Sequence, residues 1–293
     1  MLTTFLKVLI LSFVQGAAEL LPVSSSAHVI LVEKLMGLDP TAPEMTFLLV
    51  MLHTGTMFAV MVYFWKSWRS RYFSSATAFW WFVKLVTAAT FLTGVIGLIL
   101  MLFIEHVFLR GSAHTDIESI FGNSYVIATG LFAVGIMIVL SGKRKSSIAG
   151  GGPDSNGGAL RLRDSFWIGA VQGLCLPFRG FSRSGATIST GLFLDRNKER
   201  VEEFSFALAV VLTPVVIAKE GFRLYKAQAA TGYTGHVFLL LWPSLLGLVG
   251  SFFAGLLALR WLSRWLEHNR WYVFGYYCFF VAALVLLGEW YLH

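Results

Sequence analysis

Two short segments of this 293-residue chain concentrate the groups that can do chemistry. The first reads Gln15-Gly16-Ala17-Ala18-Glu19-Leu20-Leu21-Pro22-Val23-Ser24-Ser25-Ser26-Ala27-His28. The second reads Pro177-Phe178-Arg179-Gly180-Phe181-Ser182-Arg183-Ser184-Gly185-Ala186-Thr187. Gln15 and Glu19 are four residues apart and share a helix face, as do Ser25 and His28 at a spacing of three. A hydroxyl becomes a nucleophile beside a base, so Ser25 with His28 or Glu19 suits attack on phosphorus. His28 as nucleophile, or water activated by Glu19, fits the same residues. Arginine offers phosphate a planar, permanently charged fork, which assigns Arg183 to phosphate charge and Arg179 to a supplementary role. Ser24, Ser26, Ser182, Ser184 and Thr187 add hydroxyl donors near helix starts, where backbone N–H groups also favour anions. Glu19 is also the one candidate ligand for a divalent cation.

Each group has a plainer reading. Serines at a helix start act as N-caps, His28 could be a packed hydrogen bonder, and Arg183 could tie the segments together by pairing with Glu19. His53 reads as a supporting hydrogen bonder. Glu199, Glu202 and Glu203 read as a solvated face.

The setting of these groups is apolar. Hydrophobic residues make up 56% of the chain and charged residues 13%, with a mean hydropathy of +0.70. A soluble domain carries about 25% charged residues. Continuous rather than alternating apolar runs exclude a membrane β-barrel. The net charge of +7 belongs to membrane-flanking Lys and Arg, not to nucleic-acid binding. Two cysteines within apolar runs, Cys175 and Cys278, offer no disulfide framework. The segment after Lys7 resembles a short signal sequence, but its single positive charge places it in the mature fold.

Crossing a bilayer takes about 20 apolar residues. The runs 46–65, 85–104, 119–142, 204–218, 237–259 and 271–288 meet or approach that length. The runs 8–18, 20–32, 165–178 and 184–194 are too short. They come as two adjacent pairs, each broken by Pro and small polar residues. Lipid cannot satisfy broken backbone, so each pair reads as a re-entrant hairpin covered by protein. Val14-Gln15-Gly16 recurs as Val171-Gln172-Gly173, and the long runs follow at the same offset. The expected fold is an all-α polytopic membrane protein built as an inverted repeat, each half one re-entrant helical hairpin plus three transmembrane helices. It forms a single membrane domain over 1–293, with a first repeat at 1–145, a flexible linker at 146–158 and an inverted second repeat at 159–293. Loops 66–84, 142–164, 195–203 and 260–270 hold fifteen Lys and Arg against six on the other side, which makes the first side cytoplasmic. A transporter or lipid flippase that uses the same broken helices without hydrolysis is the competing reading.

The two segments resemble the (E/Q)xxxE, PVSSxxH and PGxSRSxxT motifs of the bacterial undecaprenyl-diphosphate phosphatase (bacitracin-resistance) family, in order and along the whole chain. The resemblance implies an integral membrane phosphatase that converts undecaprenyl diphosphate to the monophosphate and recycles the lipid carrier of cell-wall synthesis. It implies residence in the bacterial inner membrane, a site open to the periplasmic side, a polyprenyl diphosphate partner and help from a divalent cation, Mg2+ or Ca2+. A homodimer stays open as its assembly. The carried-over site is Glu19, Ser25, His28, Ser182, Arg183, Ser184 and Thr187, with Gln15 at the first motif position. Gln15 cannot act as a base, which places the weight on Glu19. The tight Pro-Gly pair is also missing, replaced by Pro177-Phe178-Arg179-Gly180.

Overall fold

In the computed structural model, residues 2–38, 43–108, 123–144, 158–178, 180–231 and 237–292 are described, and all the regular elements among them are helices. In chain order these are α1 (Leu2–Leu20), α2 (Ser25–Leu35), α3 (Pro43–Arg71), α4 (Ala76–Phe108), α5 (Ser124–Lys143), α6 (Leu162–Cys175), α7 (Arg183–Phe193), α8 (Lys198–Thr231), α9 (Val237–Glu267) and α10 (Tyr272–Leu292). Six of them, α3, α4, α5, α8, α9 and α10, are long and apolar enough to cross a membrane. Their exposed faces are apolar, as lipid requires. On α4, Phe91, Leu98, Ile99, Leu102 and Phe103 all point outward. The protein is a multi-pass membrane protein. The linker at 146–157 lies outside the described residues.

The short runs fold as two helical pairs, α1 with α2 and α6 with α7. At 11 residues, α2 and α7 span roughly 16 Å, about half of a bilayer core. α1 is longer than its charge-free run. It starts at Leu2 and continues through Lys7, whose ammonium donates to the Met36 carbonyl at 2.8 Å, just past α2. A long lysine stem lets a helix carry a charge past an apolar boundary. α5 starts where Asn123 caps it, its side chain accepting from the Tyr125 N–H at 2.8 Å.

The helices form two compact units, each drawn from both halves of the sequence. One contains Met1–Leu21, Ser25–Ser67 and Ala209–Leu262. The other contains Pro22–Ser24, Trp68–Leu208 and Ser263–His293. In the first unit, Val8, Leu11, Val29, Leu48 and Leu52 form a core between the hairpin and α3. Helices in lipid associate by close packing of small residues rather than by the hydrophobic effect. Accordingly, Gly16 on α1 lies so close to α9 that a Cβ there would sit 2.6 Å from Ala254 Cβ and 2.8 Å from the Ser251 carbonyl.

In the second unit, Gly173 on α6 lies equally close to α4, where a Cβ would sit 2.8 Å from Ile96 Cβ and 3.0 Å from the Thr93 carbonyl. Thr93 Oγ1 also donates to the Gly169 carbonyl at 2.9 Å. Gly16 and Gly173 stand 157 residues apart, and their partners on α9 and α4 are offset by 158. The same packing solution thus occurs once in each unit, on helices that the sequence repeat pairs with each other.

Candidate active site

The first site is built around one oxygen atom. The last turn of α1 presents Glu19, and its Oε2 accepts from Ser25 Oγ at 2.6 Å and from Gln15 Nε2 at 3.3 Å. His53 on α3 places Nε2 3.7 Å from the same oxygen. Gln15 is buried, whereas the Glu19 and His53 side chains stay 17% and 23% accessible, so the cluster is sheltered but reachable. Gln15 is held to Glu19 by helical spacing alone. Ser25 reaches it because the chain breaks at Leu21–Ser24 and restarts as α2. Ser24 makes that restart with φ +66°, an unusual conformation for a residue other than glycine and one that clusters at functional sites. The hydrogen acceptor given to Ser25 is therefore Glu19. His28 lies half-buried one turn into α2. The Ser26 side chain and Arg179 are outside the described residues.

The second segment belongs to the other unit. Ser182 caps α7, its Oγ accepting from the Gly185 N–H at 3.3 Å and lying 3.4 Å from Ser184 Oγ. Arg183 is the first helical residue and half-buried. Thr187, read from sequence as a phosphate donor, is fully buried; its Oγ1 donates to the Arg183 carbonyl at 2.8 Å and meets Ser205 Oγ at 2.6 Å. That hydroxyl is committed to the turn that carries Arg183. Since Thr187 donates to the carbonyl, Ser205 donates to Thr187. Ser205 lies 18 residues away on α8 and belongs to neither of the two motif segments, so the sequence carries no local signal for it. The first break reaches this unit too. Pro22 Cβ lies 3.2 Å from where a Gly185 Cβ would be, and Cys278 Sγ donates to the Pro22 carbonyl at 3.3 Å.

One expectation is overturned. Glu202 and Glu203 are not a solvated face: they are 4% and 1% exposed. Glu203 accepts from Arg71 at 3.1 Å, and Glu202 accepts from Ser263 Oγ at 2.6 Å. Only Glu199 remains exposed, 3.4 Å from Arg71. Carboxylates at the start of α8 also suit its dipole. Burial first, and then the adjacent Glu203 carboxylate, push the phenol of Tyr72 above its ordinary range. Sequence reasoning missed this cluster because Arg71 and Glu203 are 132 residues apart.

Among the described residues, no group of three or more His, Cys, Asp or Glu could hold a metal ion. Near Glu19 the first motif position, Gln15, contributes an amide, and that amide turns its N–H toward the carboxylate. The donor set does not fit a cation held by the protein alone.

Fold and site together define a class, the multi-pass helical membrane proteins with a carboxylate-bound serine at a broken helix. A family model described as bacitracin resistance protein BacA matches residues 8–284, and the chain belongs to that family. It is 58% identical over 286 residues to a protein named undecaprenyl-diphosphatase 2 from Acinetobacter baylyi, covering 96% of each chain. It is 32% identical to an undecaprenyl-diphosphatase from Thermus thermophilus, over 95% of each chain. It is 31% identical to undecaprenyl-diphosphatase 2 from Burkholderia ambifaria, over 97% of this chain and 96% of the other.

Proposed function

We propose that this protein hydrolyses undecaprenyl diphosphate to undecaprenyl phosphate and inorganic phosphate, recycling the lipid carrier of cell-wall synthesis. The observation that carries the chemistry is the 2.6 Å hydrogen bond from Ser25 Oγ to Glu19 Oε2. Ser25 attacks the terminal phosphorus while Glu19 takes its proton, and the lipid monophosphate departs with the bridging oxygen. Water then cleaves the phosphoserine. Arg183 and the N-terminal turn of α7 neutralise phosphoryl charge, with Ser182 and Ser184 beside them. Gln15 orients the carboxylate. His28 as nucleophile and direct attack by water are the competing routes. The names of the relatives favour hydrolysis over the transporter reading.

The remaining parts of the reading extend this core. The site opens to the periplasmic side of the inner membrane, with the positively charged loops inside. A divalent cation, Mg2+ or Ca2+, would have to come with the substrate's diphosphate, whose charge it would offset. A homodimer is compatible with this reading, since Gln15, Glu19 and Ser25 all come from one chain.

The test is phosphate release from purified protein in detergent supplied with a polyprenyl diphosphate. Ser25→Ala and Glu19→Gln should each lower turnover by roughly 10²–10⁴ with the fold intact. A folded Ser25→Ala protein that retains turnover removes serine as nucleophile. A folded parent protein without phosphate release removes the phosphatase reading.

A further inference from the structure

We propose that His53 is a second proton acceptor, placed behind Glu19 to take the proton that Glu19 collects from Ser25. This rests on the phosphatase reading and adds to it a residue on a different helix. The argument begins with the tautomer. His53 Nδ1 lies 2.9 Å from the Leu49 carbonyl on its own helix. A carbonyl only accepts, so Nδ1 carries the hydrogen, and in the neutral ring Nε2 is a bare lone pair. That lone pair faces Glu19 Oε2 at 3.7 Å. Two acceptors thus face each other one proton short of a hydrogen bond.

Ser25 supplies the missing proton. Its Oγ–H already lies on the same carboxylate oxygen. When Ser25 attacks, its O–H electron pair becomes the new O–P bond and its proton passes to Oε2. The anhydride P–O bond breaks, and its electron pair leaves with the lipid monophosphate. The proton on Oε2 now lies between two basic atoms and moves to Nε2. Glu19 is left ionised, takes a proton from the water that cleaves the phosphoserine, and passes it to the Ser25 oxygen as the O–P bond breaks. His53 then releases its proton through the freed Glu19 to the departing phosphate, and the cycle closes without any further reactant. A carboxylate alone would have to hold the first proton while accepting the second. A 3.7 Å separation is within the range that closes to a hydrogen bond as a catalytic contact tightens on substrate.

α1 presents Glu19 to the ring, with the neutral Gln15 on the same carboxylate oxygen. α9 packs on α3 at Gly55 through Leu248 and Ser251, neither of which titrates. α2 carries His28, half-buried, and in its last turn Glu33 and Lys34, while α1 carries Lys7 near its start. A glutamate at position 15 would compete for the proton, and here Gln15 cannot.

The experiment compares the parent with His53→Gln and His53→Asn, using phosphate release from a polyprenyl diphosphate and a thermal melt on each sample. Parent activity is the control for the phosphatase reading, since its absence defeats that reading and this inference together. The expected result is a fall in kcat on the order of 10²-fold with KM changed by less than about threefold. The acid limb of the kcat–pH profile should also become shallower, because one group rather than two must be deprotonated. In a Glu19→Gln background, His53→Gln should cost little more, since the two act in series. A folded variant with parental kcat and a superimposable pH profile overturns the inference. So does failure of both variants to fold, which makes His53 a packing residue.

Discussion

At the scale of single residues, the chemistry rests on charge held in a fixed direction. Arg183→Lys keeps the charge and loses the planar fork. If Arg183 holds developing phosphoryl charge, turnover should fall roughly 10²–10³-fold while the melting temperature stays near that of the parent. Parental turnover with a lowered melting temperature would instead make Arg183 a tie between elements. Ser205 acts at one remove. Its hydroxyl meets Thr187, which in turn holds the Arg183 carbonyl. Ser205→Ala leaves a buried acceptor on Thr187 without its donor, which costs about 1–3 kcal/mol. A thermal melt should register that loss, and Ser205→Ala with unchanged stability would show that the contact carries nothing.

At the scale of elements, the breaks are as informative as the helices. Gly180 ends the Pro177-Phe178-Arg179-Gly180 stretch of the second segment. A Cβ there would run into the Ile127 carbonyl on α5, and backbone cannot yield as a side-chain tip can. Gly180→Ala should therefore cost at least about 1–3 kcal/mol and displace the start of α7. Gly94 on α4 is the control, with nothing within 4 Å of its Cβ position. Gly94→Ala should be neutral, or stabilising by up to about 1 kcal/mol. Equal melting temperatures for the two variants would remove the close-approach argument. The absent Pro-Gly pair has thus not cost the segment its packed glycine. Gly180 remains the residue that lets the turn approach α5.

For the whole molecule, each compact unit combines one short helical pair with long helices from both halves of the sequence. The Gly16 contact with α9 and the Gly173 contact with α4 repeat one packing solution in the two units. The balance of Lys and Arg predicts a cytoplasmic 142–164 loop. A cysteine at Ser147, outside the described residues, should resist an impermeant thiol reagent in intact cells and react once the membrane is opened. Labelling of intact cells would reverse the orientation and, with it, the periplasmic opening of the site.

The sequence alone determined what depends on local spacing and on solvent. Charge-free runs of about 20 residues are long enough to span a membrane, and runs half that length beside Pro are not. Gln15 and Glu19 meet because four residues make a helix face. Ser25 and Arg183 were legible as residue types in a membrane that makes polar groups costly. Tertiary structure decided the rest, because its partners are remote in the chain. It gave Ser25 the carboxylate of Glu19, brought His53 from another helix to the same oxygen, and turned Thr187 inward to Ser205. It buried Glu202 and Glu203, which a hydropathy reading places in water, because Ser263 and Arg71 were waiting on other helices. A burial pattern set by neighbours more than 60 residues away leaves no periodicity for the sequence to display.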